Sequence, residues 1–365
     1  MSEQQMASQA GAVAAGVDPV PPAPAAGPGP DGMLPAGSPP DSAAAPEAGA
    51  APVAAGDGFV GRSPGQLAWR RLRRDRVALV SGATLVFFVL LAAAAPLVAR
   101  LYGKGPQERF PERLDRNGFP LGYAGVSGEH WFGIQPGIGR DIFIQVVYGL
   151  RTSLMIAFTA AVLTIALGVV IGIVAGYVGG WVDAAITWVI DLALAFPFYI
   201  FCFAFVPLAV NQFYGPRDEV ASWFRPALLV AIFVLFNWTI SARLVRGQVL
   251  SLREREFVEA ARASGAGLGH ILFRQLLPNL WAPILVTFSL NVPALITAEA
   301  ALSFLGIGVL EPTPDLGRLI NDSVRYIRDV PSFTIVGGTT LFLLVLAFNL
   351  FGDSLRDALD PKSSR

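Results

Sequence analysis

The sequence predicts an all-α polytopic membrane protein with six spans and one long charged loop between the fourth and fifth. Three observations predict it. Hydrophobic residues make up 53% of the 365 residues and charged residues only 15%, against about 25% charged in soluble domains. Six apolar stretches reach or approach the ~20 residues that cross a bilayer core as helix. Arginines then cluster at the ends of particular spans, as a membrane topology requires.

The elements follow in order. Residues 1–60 read as a disordered Ala/Pro/Gly-rich tail, for example Pro21-Pro22-Ala23-Pro24. Such a segment buries too little apolar surface to offset its ordering entropy. Its first 58 residues hold no Lys or Arg, so the basic start of a secretory signal is missing. Residues 61–76 form a basic segment carrying Arg62, Arg70, Arg71, Arg73, Arg74 and Arg76. The spans are 77–98, 153–178, 184–210, 226–243, 280–310 and 333–351. Between them lie an outer segment 99–152, a charged loop 244–279, an outer loop 311–332 and a tail 352–365. The dense arginines before the first span place the N-terminus in the cytoplasm. The loop 244–279, with Arg246, Arg253, Arg255, Arg262 and Arg274, then falls on the same side. An even number of spans returns the C-terminus there. The fifth span contains Pro283, Pro293 and Gly306 and is expected to kink or to leave the bilayer near its end.

Asp191 lies inside the third span. A central Asp costs about 2.5–3.5 kcal/mol, and each Leu, Ile, Phe or Val returns about 0.3–0.6. The fourteen such residues between Ile186 and Val210 outweigh it, so the helix inserts with its acid facing protein or water. Asp191, Asn291 and Glu299 are the intramembrane polar residues that call for an explanation. Either they line a pathway or gate, or they pair across helices. Gly168, Gly172 and Gly176 recur every four residues, a spacing for close helix packing, within the chain or toward a partner. Cys202 is a small packing residue. One cysteine and two histidines offer no metal site, and zero net charge gives no field for nucleic acid.

The loop 244–279 carries most of the functional signal. Ser251-Leu252-Arg253-Glu254 reads as a capping box opening a helix that runs through Ala263. Arg255 with Glu259, and Glu259 with Arg262, fall at helical neighbour spacings. Phe257, Ala260, Ala261 and Ser264 fall near one face, and Gly265 can supply the left-handed cap. A second short helix, 268–277, is expected to stop before Pro278. The result is an elbow whose small residues allow a partner close and whose Phe257 could anchor it.

Here a resemblance becomes specific. Glu259-Ala260-Ala261, then Gly265, then Leu277-Pro278 resembles the EAA loop of permease subunits of bacterial ATP-binding-cassette importers. The family's Ile position is Gln275. Gly139-Arg140-Asp141 with Tyr148-Gly149-Leu150-Arg151-Thr152-Ser153-Leu154, Asp191 to Pro197, Glu299 to Gly308 and Ala347 to Pro361 resemble dipeptide, oligopeptide and nickel permeases. The basic segment before the first span points to the C-type member of the permease pair. Two departures stand out. The outer segment reads His130-Trp131-Phe132-Gly133-Ile134-Gln135-Pro136-Gly137-Ile138-Gly139-Arg140-Asp141, without the family's Thr-Asp and one residue longer. The stretch after Pro197 is rich in Phe and Tyr.

The resemblance implies a type I importer permease fold with a coupling helix. It implies a second, B-type permease, two ABC ATPase subunits, and an extracytoplasmic substrate-binding protein around this chain in the bacterial cytoplasmic (inner) membrane. Phe257, Glu259, Ala260, Ala261, Gly265, Leu277 and Pro278 would couple it to the ATPases. No Gly-x-x-x-x-Gly-Lys-Ser/Thr loop is present, so ATP and Mg would sit on the partners and the chain itself would bind no cofactor and catalyse nothing. Peptides are the leading substrate; nickel chelates, sugars and other small solutes stay open. A gradient-driven transporter would show inverted repeats, and an intramembrane protease a set such as His-Glu-x-x-His. The sequence shows neither.

Overall fold

A computed structural model describes residues 64–215 and 217–360; the expected tail 1–60 lies outside them. Every main element among the described residues is helical. Helix α1, Pro64–Leu72, carries Arg70 and Arg71 of the basic segment; Arg73 and Arg74 follow it, and Arg76 opens the next helix. Asp75 caps the next helix by accepting from Val77 N at 2.8 Å. The first span is then two helices, α2 Arg76–Ala93 and α3 Ala95–Tyr102, not one. Pro96 sits in the first turn of α3, where its missing N–H costs nothing, and its ring would clash inside a continuous helix.

Helix α4, Ile142–Val178, has 37 residues, about 55 Å at 1.5 Å per residue. It starts well before the expected 153, because hydropathy stops at Arg151 while the hydrogen-bond ladder does not. Asp141 caps it, accepting from Ile144 N at 3.1 Å. The same carboxylate lies 2.7 Å from His130 Nδ1 and holds the outer segment against the helix. Asp141→Ala is expected to lower the chain's stability by about 1–2 kcal/mol. Asp141→Asn, whose amide oxygen still caps, should cost less; thermal unfolding in detergent compares the two.

The expected third span, 184–210, is a bent pair. Helices α5, Gly180–Ala195, and α6, Phe198–Phe213, meet at 81°. Pro197 causes the break: it drives the preceding residue out of the helical region, and Phe196 is extended at φ −77°, ψ 127°. Helix α7, Phe224–Leu252, outruns the expected 226–243 at its far end. Helix α8, Glu256–Ala263, and the single turn α9, Leu268–His270, form the elbow. Helix α10, Trp281–Phe304, stops short of the expected 310 at a turn closed by Gly306 (φ +79°). In the outer loop lies α11, Leu316–Val324. Helix α12, Pro331–Leu359, runs into the expected tail 352–365 and closes on the extended Asp360, the residue before Pro361.

Five of these helices are long and apolar enough to cross a membrane, and the bent pair makes a sixth crossing if it counts as one. The expected all-α polytopic fold is therefore present. Among the described residues, the two larger of three buried clusters organise it. Ile142, Leu150, Phe233, Leu295 and Phe333 belong to one. Ile173, Val249, Val258, Leu272 and Leu276 belong to the other, at the elbow's end. Helices α4 and α7 touch through the glycine strip: a Cβ on Gly168 would lie 2.6 Å from Ser241 Cβ, and one on Gly172 2.6 Å from Ala242 O. Of the two uses left open for that strip, the chain's own α7 takes it. Leu90, Phe87, Met155, Ile335 and Phe342 stay exposed, as faces turned to lipid or to another subunit require.

Candidate functional site

The elbow is built differently from its local motif. Ser251 sits in the last turn of α7, whose ladder continues to Arg253 N on Val249 O at 2.9 Å. The capping box is therefore not formed, because tertiary continuation of α7 consumes its first residues. Helix α8 starts at Glu256 with the extended Arg255 before it and no side-chain cap. Val258 is fully buried among Ile173, Val249, Ile271 and Leu272. Phe257, Ala261 and Ala266 pack half-buried beside it. Phe257 thus turns toward the chain's own core rather than projecting as an anchor.

The opposite face, Glu256, Glu259, Ala260 and Ala263, is exposed. Arg262 does not pair with Glu259: its Nε donates to Tyr177 Oη at 3.0 Å, and its guanidinium lies 4.9 Å over that ring. Arg253 Nη1 donates to Gly176 O at 3.2 Å, satisfying a carbonyl at the end of α4. Arg246 forks onto Asp183, with Nη2 to Oδ2 at 2.7 Å. The Arg262 bond fastens α8 to the end of α4, while the Arg253 and Arg246 bonds fix the end of α7 to α4 and α5 and so frame the base on which α8 rests. Sequence reasoning missed Val258 and Tyr177; a lone β-branched residue among charges, three before Ala261, was the available signal.

Helix α8 ends in a Schellman motif. Gly265 has φ +78°, Ala266 N donates to Ala261 O at 3.0 Å, and Gly265 N to Arg262 O at 2.9 Å. The second helix does not stop before Pro278. Ile271–Leu276 widens into a π-helical turn and Leu277–Leu280 tightens into a 3-10 turn. The run from Leu268 to Phe304 is one apolar helical path. Pro278 falls at the start of the 3-10 turn, where no N–H is required. Gln275 leaves the core contact to Leu276, which is fully buried, and places its Nε2 3.4 Å from the exposed His270 ring.

A groove of about 850 Å³ opens between α7, α10 and α12. Asn237, Ile240, Gln248, Val286 and Asn291 line it, with Arg356 and Asp360 at its mouth. Of the three intramembrane polar residues, Asn291 faces this groove. Asp191 pairs with Arg243 at 2.6 Å, both more than half exposed, and Arg243 lines a smaller recess with Ile240 and Leu244 beside the groove. Glu299 is not on the groove. It is fully buried, and Ser303 Oγ donates to its Oε1 at 3.0 Å. Around it Ser153 Oγ reaches Asp315 Oδ2 at 3.4 Å, and Gly149 allows Asp315 within reach of α4.

On the far side, Arg140 pairs with Glu311 at 3.1 Å and Arg318 with Asp322 at 3.8 Å. Burial pushes the Asp322 carboxyl above its usual range although Arg318 opposes this. The Tyr102 hydroxyl donates to Asp141 Oδ2 at 3.1 Å.

A family described as the inner membrane component of binding-protein-dependent transport systems matches residues 168–365, more than half of the chain and the whole of the elbow and groove. The chain belongs to this permease family. A second match, the N-terminal TM domain of oligopeptide transport permease C, covers residues 63–114. It bears out the C-type assignment that the basic segment suggested. The permease is 38% identical over 306 residues to the dipeptide transport system permease protein DppC of Alkalihalophilus pseudofirmus, covering 84% of this chain and 92% of that one. It is 37% identical over 301 residues to the glutathione transport system permease protein GsiD of Shigella flexneri, covering 82% and 91%. Among solved structures, a chain of the MetNI methionine ABC transporter in an inward facing conformation matches with a TM-score of 0.44 and 18% identity, over 59% of this chain and 96% of that one.

Proposed function

We propose that this permease is one of two membrane subunits of an ATP-driven importer for peptides. It lies in the cytoplasmic membrane with both termini inside. A separate ATPase binds ATP and Mg and seats on α8, a B-type permease completes the pathway, and an extracytoplasmic binding protein delivers the substrate. The observation that carries this reading is the two-sided build of α8. Val258 and Ala261 lock one side to the ends of α4 and α7, while Glu256, Glu259, Ala260 and Ala263 stay open on the other. A push on the open face is therefore transmitted to the span ends rather than absorbed in a loose loop. Gly265, Leu277 and Pro278 set the path by which α8 leads into α10.

The groove is the permease's share of the pathway. Its uncharged amides, Asn237, Gln248 and Asn291, beside Ile240 and Val286, suit a peptide backbone with varied side chains. The dipeptide and glutathione relatives support the same substrate class. Asp191 and Arg243 would act as a gate beside the groove, while Glu299 has a packing role.

Cysteine crosslinking tests the carrying observation. The native Cys202 is buried, so a new surface cysteine reports alone. Ala260→Cys is expected to crosslink to the ATPase of the assembled transporter, and Val258→Cys is not. An assembled, active transporter in which Ala260→Cys fails to reach the ATPase would overturn the proposal.

A further inference from the structure

An apolar cleft of about 500 Å³ lies between α1, α2 and α12 and has no part in the elbow or the groove. Trp69, Leu79, Val86, Phe158 and Phe351 form its walls, and Arg73 is the one charged residue among its lining. Along α2 the lining runs from Ala78 to Leu90, about 18 Å at 1.5 Å per residue. That depth is close to one leaflet of a ~30 Å bilayer core.

The mouth is basic. Arg73 lies 5.0 Å over the Trp69 ring, and Arg70 and Arg74 stand exposed on the same short segment. Among the described residues, the ion pairs leave Arg70, Arg73, Arg74 and Arg76 without a carboxylate. The nearby Asp75 is engaged by Val77 N and by Ser354, whose hydrogen bond holds it below the usual carboxylate range. Arg71 is committed elsewhere, donating to Asp360 O at 2.9 Å. The leaflet-deep apolar slot ends at Arg73, with Arg70 and Arg74 lining an adjoining recess of the same basic segment, and an acyl chain with an anionic headgroup matches both halves.

We infer that the cleft between α1, α2 and α12 binds an anionic phospholipid, with its phosphate at Arg73 in the field of the neighbouring Arg70 and Arg74 and an acyl chain along α2. Guanidinium forks suit phosphate oxygens, and cytoplasmic leaflets carry anionic lipid. The choice of leaflet rests on the orientation proposed above; the preference for an anionic headgroup does not. Because α12 also supplies Arg356, Leu359 and Asp360 to the mouth of the groove, a lipid held here steadies one wall of that groove.

The test is native mass spectrometry of the full-length chain in mild detergent, offered equal phosphatidylglycerol and phosphatidylethanolamine with matched acyl chains. The chain should retain phosphatidylglycerol over phosphatidylethanolamine by at least about fivefold. The combined variant Arg70→Gln, Arg73→Gln, Arg74→Gln should lose the preference yet still carry lipid. Ala83→Trp fills the cleft from an exposed position on α2 and should reduce retention of both lipids. Equal retention by the unaltered chain, a preference that survives the triple substitution, or full retention by Ala83→Trp overturns the assignment. Uptake and ATPase crosslinking are separate readouts, so failure of this site leaves the transport reading standing.

Discussion

Replacing Gly265 with valine is expected to cut uptake by about tenfold or more while the amount of chain in the membrane stays unchanged. Gly265 holds φ +78°, where an L-residue pays about 1–2 kcal/mol and a β-branched one more. Since 1.4 kcal/mol is a factor of ten, the Schellman closure from Ala266 N to Ala261 O should open in most molecules. Helix α8 then loses its fixed path into α9 and α10. Packing does not enter: a Cβ at Gly265 meets nothing within 4 Å. The membrane core is therefore untouched, and insertion should not suffer. Two further substitutions separate backbone from surface. Gly265→Asn should keep most uptake, because Asn tolerates the left-handed region. Gly265→Asp has similar backbone tolerance but adds a negative charge beside the open face that already holds Glu256 and Glu259. Its expected loss of transport would then report the docking surface. Transport by Gly265→Val at the unaltered rate would show that the elbow's shape does not matter.

The existence of the spans and the turn at Gly265 were legible because each rests on a local rule: apolar length for the first, left-handed backbone for the second. Helix ends were not. The stretch Gln145 to Arg151 is polar enough to stop a hydropathy reading, yet Gln145 is buried with Ile142, Val146 and Leu150 around it. An extension outside the apolar stretch is helical because it packs, not because it is greasy. Pro197 was visible, but an 81° bend depends on where α6 finds partners, here the aromatic contacts of Phe198 with Phe233 and Phe236. The sequence placed Ser251 in a capping box; the ladder of α7 overrode it, as tertiary continuation overrides a weak local motif. Pro278 was a stop signal that the chain evades by widening one turn and tightening the next. At the site, Glu299 and Asn291 looked alike in sequence. Only their depth against α4 and α11, or against the open groove, tells them apart.

The glycine strip of α4 joins stability to coupling, and Gly172→Leu is expected to unfold the chain. A Cβ at Gly172 would lie 2.6 Å from Ala242 O and 2.9 Å from Val245 Cβ. The first of these is backbone inside α7, so no rotamer change relieves it. Even Gly172→Ala must push α4 and α7 apart, at a cost of about 1–3 kcal/mol. A leucine adds volume that this contact cannot hold, and the folded chain should be largely lost from detergent extracts. Gly247 provides the contrast. It lies within α7, and a Cβ there meets nothing within 4 Å. Gly247→Ala should therefore stabilise the helix by about 0.5–1 kcal/mol. Size-exclusion profiles and thermal unfolding measure both. Position within the strip adds a functional consequence. A Cβ at Gly176 would lie 2.8 Å from Val249 Cβ, and Val249 shares the buried cluster that holds Val258 of α8. Gly176→Ala displaces the ledge on which α8 rests, so it should lower uptake more than its stability loss alone accounts for. Gly168→Ala, at the end of the strip remote from α8, should lower stability by a similar amount and uptake only in proportion. If the two variants lose uptake equally at equal stability, the α4–α7 contact is a frame and not part of the path from α8 to the membrane.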